Sequence, residues 1–278
     1  MRRSMAILAA ATLFASGAQA ATVEIRDAVA RVTVVPQDRS DIKVEIVRGH
    51  PQLPLSVSVA GDRTVIDGDL RRRIRDCDGM GGGKPRIKVR GVGKVDYDDL
   101  PQVVIYTPKA VALESNGAVS GVIGRSASLE LHNSGCASWT IADVAGEAEL
   151  HQSGAGAVKM GAAGTLDLQL SGAASIHAVS VRDGLDAHLS GAGGLTVDSV
   201  SGPMEARVSG VGQIHVAGGR ASRIRASVSG IGQVEFGGAA GDLDASISGL
   251  GQIRVKEVTG SVSKSVTGGG QIKIGNRS

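Results

Sequence analysis

The sequence predicts an all-β protein, a right-handed parallel β-helix (solenoid) whose coils advance about 19 residues at a time. Three observations predict it. A Ser-Gly-x-Gly-x-Ile/Val motif recurs in register through the second half of the chain. Apolar and polar residues alternate on both sides of each motif, the period of half-buried strands. Glycine supplies 41 of 278 residues, roughly twice the usual share, with 7 prolines and only 2% aromatics. Such glycine content without a Gly-X-Y period is not collagen. The abundant Val, Ile and Leu are not those of a disordered chain.

The first element, residues 1–20, is a signal peptide. Arg2 and Arg3 precede an apolar run from Met5 to Ala15, and Ala18-Gln19-Ala20 has the small-x-small form of a cleavage site. Cleavage is expected after Ala20, which places the mature chain in the periplasm or outside the cell. The run is short for a bilayer span, and no later segment has 18 continuous apolar residues, so no transmembrane segment is expected in the mature chain. Without Arg2 and Arg3 the chain holds 28 Lys+Arg against 27 Asp+Glu. The pI near 9.0 is therefore no nucleic-acid footprint, and the scarce aromatics offer no base-stacking surface. No nucleic-acid partner is expected.

Residues 21–114 read as irregular N-terminal β coils. Val23 and Ile25, Val32 and Val34, Ile42, Val44 and Ile46, then Leu55, Val57 and Val59 alternate as strands do. These coils are expected to cap the solenoid, since an uncapped end is an exposed strand edge. Within them, 67–94 reads as a long basic loop. Between Arg71 and Lys94 it carries Arg71, Arg72, Arg73, Arg75, Lys84, Arg86, Lys88, Arg90 and Lys94, opposed between those two residues by Asp76 and Asp78. It is either a solvated loop or a site for an anionic partner, with Arg71, Arg72, Arg73 and Arg75 as the binding candidates. Cys77 lies in this loop and Cys136 in the repeats. In an exported chain the even count permits a disulfide that would pin the loop to the solenoid wall; two free thiols or a metal pair are the alternatives.

Residues 115–278 are the regular repeats. The motif is clearest at Ser209-Gly210-Val211-Gly212-Gln213-Ile214 and at the copies starting at Ser229, Ser248 and Thr267. It continues upstream at Ser190, Ser171, Ser153, Ser134 and, more weakly, Ser115. From Ser134 to Thr267 the spacings are 19, 18, 19, 19, 20, 19 and 19. Leucine-rich, propeller and calcium-binding nonapeptide repeats fail on period or composition. A left-handed hexapeptide helix would need three matching thirds, whereas only the Ser-Gly corner repeats cleanly.

The serines and glycines are read as corner residues. Corners need small side chains or φ > 0, and a serine hydroxyl can bond a turn amide or the next coil. No serine sits in a Gly-x-Ser-x-Gly elbow. Aligning the coils places His132, His151, Gln169, His188 and Arg207 in one solvent-facing column. His132 and His151, one coil apart, are candidates for a shared metal ion, with no third ligand evident from spacing. Gln213, Gln233, Gln252 and Gln271 form a second column, read as a structural amide ladder. Asp167, Asp186, Glu205, Arg225 and Asp244 form a third. No cofactor is expected.

The periodic Ser-Gly-x-Gly-x-Ile pattern, entered through Val103-Val104-Ile105-Tyr106-Thr107-Pro108, resembles the GIN-head domain family of putative autotransporter adhesins, a bacterial domain of unknown function. The resemblance runs roughly from Val23 to Ile274 and is strongest from Ser134 onward. It implies a signal-bearing envelope protein built as a right-handed parallel β-helix.

Three function classes follow. The expected one is a non-enzymatic exported envelope protein, a β-helix module for binding, adhesion or scaffolding, because its polar residues repeat down columns rather than gather at one point. The alternatives are a carbohydrate-active β-helix enzyme working through the carboxylate row, and a module binding an acidic polysaccharide or another envelope component through the Arg71–Lys94 loop.

Overall fold

The computed structural model describes residues 21–79 and 84–275. The predicted signal peptide, 1–20, lies outside the described residues. About 75% is strand, wound into a β-solenoid of about nine turns; the helical elements among the described residues are 3₁₀ turns at Arg71–Arg73 and Tyr97–Asp99.

Long strands that bend around the coil carry most of the wall: Ala155–Leu170, Ala173–Leu189, Gly194–Val208, Gln213–Val228 and Gln233–Gly249. Each pairs in parallel with the strand one coil away, so that Leu166, Leu185, Met204, Ile224, Leu243 and Val262 stand in one register column. The pairings close into a continuous cycle, but because partners lie one coil apart in sequence this is a solenoid wall and not a barrel. Coil length varies by a residue, and β-bulges absorb the difference, between Ala163 and Thr165 for the short coil and between Val216 and Arg220 for the long one.

The alternation read from sequence decides what is inside. Leu166, Leu168 and Leu170, like Ile224, Ala226 and Val228, are buried, and Trp139 and Phe236 are the largest side chains wholly inside the core. Coils about 4.8 Å apart leave little room at the corner. A Cβ on Gly154 or Gly172 would collide with the carbonyl oxygen of Gly135 or Gly154 one coil earlier. The corner itself is tied by main-chain bonds between coils, such as Ser171 N–H to the Gln152 carbonyl and Ser190 N–H to that of Leu170, at 2.9 and 2.8 Å.

The N-terminal coils are more ordered than expected. Thr22–Gln37 runs parallel to Ala110–Ile123 over eleven register pairs and also borders Arg63–Asp67 and Gln102–Pro108. Two flanking strands turn antiparallel, Lys43–Arg48 on Gln102–Pro108 and Ser56–Ala60 on Arg63–Asp67. A parallel edge can be continued only by another coil, whereas a hairpin covers it within a few residues.

The stretch predicted as a long basic loop, 67–94, is corrected. Ile74–Asp78, Arg86–Val89 and Gly93–Asp96 form a three-stranded antiparallel sheet. Ile87, Val89 and Val95 turn inward and pack with Leu53, Leu70 and Leu100 in a second, smaller core. The charged residues between them had masked this short alternation. A disulfide between Cys77 and Cys136, Cα atoms 6.2 Å apart, ties this sheet to the solenoid.

Candidate functional site

An open groove of about 730 Å³ runs along the serine corner, parallel to the solenoid axis. Its chemistry follows from strand alternation. The residue just inside the corner is buried, and its neighbours on either side line the groove, once per coil. One wall is the column Glu24, Glu114, His132, His151, Gln169, His188, Arg207 and Ser227, in register from coil to coil. The corner serines, from Ser134 to Ser229, line it as well. Between them lies a buried column that is polar at one end (Ser115, Asn133, Gln152) and aliphatic at the other (Leu170, Leu189, Val208).

The buried polar residues form a chain of hydrogen bonds. The Ser115 hydroxyl donates to Asn133 Oδ1 at 2.6 Å, and Asn133 Nδ2 donates to Gln152 Oε1 at 2.9 Å. The sequence reading found the five-residue column from His132 to Arg207 but missed Glu24, Glu114 and the polar floor. Glu24 and Glu114 precede the regular repeats and are brought together by pairing of distant strands, where Arg63 bridges them at 2.9 and 3.2 Å.

Two residues upstream of the groove column stands a carboxylate column, Glu130, Glu149, Asp167, Asp186 and Glu205. Residues i and i+2 share a face of a strand, so most acids meet an imidazole or a guanidinium. Glu130 faces His132 at 3.4 Å, Glu149 faces His151 at 2.7 Å, Asp186 faces His188 at 3.0 Å, and Glu205 pairs with Arg207. Arg207 also contacts the His188 ring. Asp167 differs, because Gln169 stands where its neighbours have a histidine. Burial first, then the negative charges of Asp186 and Glu149, push its carboxyl above the ordinary aspartate value.

His132 and His151 stack one coil apart with ring centroids 4.3 Å apart and planes tilted by 51°. One donor atom each from His132, His151 and Glu149 lie within 4.8 Å of one another. Glu149 is the third potential donor that repeat spacing alone did not reveal, although its place two residues before His151 was a usable signal.

The remaining predicted residues lie elsewhere. Arg71, Arg72 and Arg73 form the exposed 3₁₀ turn, and Arg75 projects from the first strand of the small sheet. Acids flanking the Arg71–Lys94 segment share the charge: Asp69 lies 3.6 Å from Arg71, Asp98 2.7 Å from Lys84 and Asp96 3.6 Å from Arg86. The Arg73 guanidinium is turned back onto the Arg90 carbonyl at 3.1 Å. In the glutamine column the four residues stack in register, but the Gln233 amide donates along its own strand to Glu235 at 3.4 Å. Beyond the groove, the variable corner residues Val211, Ile231 and Leu250 form an apolar ridge, 65–67% exposed.

The regular coils are where comparison with known proteins registers. Residues 179–277 match the family described as "putative auto-transporter adhesin, head GIN domain". The match covers the clearest Ser-Gly-x-Gly copies and not the N-terminal coils. Among solved structures, the chain is similar to a putative adhesin from Parabacteroides distasonis ATCC 8503, at 17% identity over 90% of this chain and 91% of that one, TM-score 0.57. It is also similar to a putative lipid binding protein from the same organism, at 20% identity over 92% of each chain, TM-score 0.52. At such identities the likeness is one of fold. No curated protein matches the chain.

Proposed function

We propose that the protein is a non-enzymatic, exported binding module of the adhesion type, and that its ligand is an extended envelope polysaccharide lying along the serine-corner groove. The observation that carries this reading is the groove's periodicity. Hydrogen-bonding groups recur once per coil along it, from Glu114 through His132, His151, Gln169 and His188 to Arg207, matched at the corner by Asn116 and then by one serine per coil from Ser134 to Ser209. A catalytic site gathers unlike groups at one point, whereas a row of like groups suits a chain that presents the same groups repeatedly. Most carboxylates beside the groove are already engaged by a histidine or by Arg207, which suits binding better than general acid–base work. Matching of the regular coils to an adhesin family supports the same reading, as does the predicted leader. Among the described residues no helix is long and apolar enough to cross a membrane.

Acidic chains would meet Arg207 and the histidines. The Arg71–Arg75 cluster is the weaker anion site, since Asp69, Asp96 and Asp98 share its field. The test is binding to a panel of neutral and acidic polysaccharides by calorimetry. Ser171→Trp with Ser190→Trp, filling the groove at mid-length, should weaken binding at least tenfold while Arg71, Arg72, Arg73 and Arg75 all changed to Ala leave it within about twofold. The reverse result would move the site to the small sheet. Steady release of cleaved sugar, abolished by Asp167→Asn, would replace the binding reading with an enzymatic one.

A further inference from the structure

We propose that His132, His151 and Glu149, with Glu130 as a fourth donor, form a divalent-cation site of the zinc class at the N-terminal end of the groove. The site originates in a local repetition. Glu130-Leu131-His132 and Glu149-Leu150-His151 are the same tripeptide in consecutive coils. The parallel register sets Glu130 beside Glu149 and His132 beside His151. Leu131 and Leu150 are each 2% exposed in the core, so both strands are anchored and all four donors project to the same side.

The result is a two-by-two grid of imidazoles and carboxylates. Glu149 Oε1 is 2.7 Å from His151 Nε2, Glu130 Oε1 is 3.4 Å from His132 Nε2, and donor atoms of the three best-placed residues lie within 4.8 Å of one another. Zinc bonds of ~2.0–2.1 Å to nitrogen and ~2.0–2.2 Å to oxygen put tetrahedral donors about 3.3 Å apart. Small rotations of half-buried side chains close that gap. His132 Nε2 supplies a second, independent sign: it is buried and makes no hydrogen bond. Glu130 Oε1, 3.4 Å away, makes no hydrogen bond to it; a buried ring nitrogen without a hydrogen bond is costly, and a cation in the grid would satisfy it.

Two imidazoles with carboxylates select zinc or a similar borderline ion over calcium or magnesium, which take oxygen ligands. The neighbouring Asp186-Ala187-His188 tripeptide is a built-in control. It has the same acid–histidine pair, but Gln169 and Arg207 flank His188 in the column, so no second imidazole completes the grid. The site does not depend on what occupies the groove.

The test uses the oxidised chain without a histidine tag, stripped with chelator and titrated with ZnCl₂ by calorimetry. We expect saturation at one ion per chain. His132→Gln, His151→Gln or Glu149→Gln should each weaken binding by tenfold or more, and His188→Gln should leave it within twofold. In the parent chain, added zinc should shift the ring-nitrogen NMR signals of His132 and His151 and spare those of His188 and His215, a readout that needs no variant to fold. Absence of saturable binding, equal loss in His188→Gln, or ring shifts confined to other histidines would overturn the assignment.

Discussion

Replacing Asn133 with valine should destabilise the protein by about 3–5 kcal/mol, although valine and leucine fill the same buried column elsewhere. Asn133 is 3% exposed and joins Ser115 to Gln152 through bonds of 2.6 and 2.9 Å. Valine removes both, worth about 1 kcal/mol each net, and leaves the Ser115 hydroxyl and the Gln152 carbonyl buried without partners, at about 1–3 kcal/mol more. Replacing the entire chain of bonds (Ser115→Ala, Asn133→Val, Gln152→Leu) extends the aliphatic column of Leu170, Leu189 and Val208. It also removes Gln152 Nε2, a buried amide nitrogen that makes no hydrogen bond in the parent. The triple variant should therefore lie within about 1 kcal/mol of the parent, because removing both partners of a buried bond is nearly neutral where removing one is not. Urea unfolding of the oxidised protein, followed by circular dichroism, reads both effects as midpoint shifts at unchanged slope. The reasoning is refuted if Asn133→Val costs under about 1 kcal/mol, or if the triple variant is no more stable than the single one.

Exchanging Cys77 and Cys136 for alanine removes closure of a 59-residue separation, worth up to about 4 kcal/mol in the chain-entropy model; hydrogen exchange should accelerate over 74–96 and stay slow over 155–275, and uniform loss of protection would contradict a local role. Asp67 accepts the Asp69 N–H at 2.8 Å and pairs with Arg26 at 2.6 Å, and these two contacts, in that order, hold its carboxyl below the ordinary value of 3.8. A depressed folded-state value means stability that is present above the unfolded value and lost as the pH falls through the folded one. Asp67→Asn should cost about 0.5–1 kcal/mol at neutral pH, and the gap to the parent should close below pH 3.8; a gap that persists in acid would show that the charge is not its source.

Much of this molecule was legible from sequence because a solenoid is translationally repetitive. Once the serine anchors set the 19-residue step, a period of two decides which side chains point inward, and one coil's register serves for the next. That is why the stacking of His132 on His151 and the column running on to Arg207 could be read without coordinates, and why the buried leucines and valines fell where expected. Outside the repeats there is no such translation to copy. Glu24 and Glu114 meet because the first strand finds the edge of a strand some ninety residues later, a choice made by burial across the whole chain end. The strands between Ile74 and Asp96 turn antiparallel because a short segment on a solenoid wall can satisfy its backbone only against itself. Their charges, opposed in sequence by Asp76 and Asp78, are met in space by Asp69, Asp96 and Asp98 as well. The groove is of the same kind. Sequence by itself determined the columns and their spacing, through alternation and repeat length. Only the tertiary structure decided that the bend at the serine corner makes two columns line one groove, and that Glu149 closes on the histidine pair, because the angle of a corner and the reach of a side chain are set by packing between coils and not by periodicity.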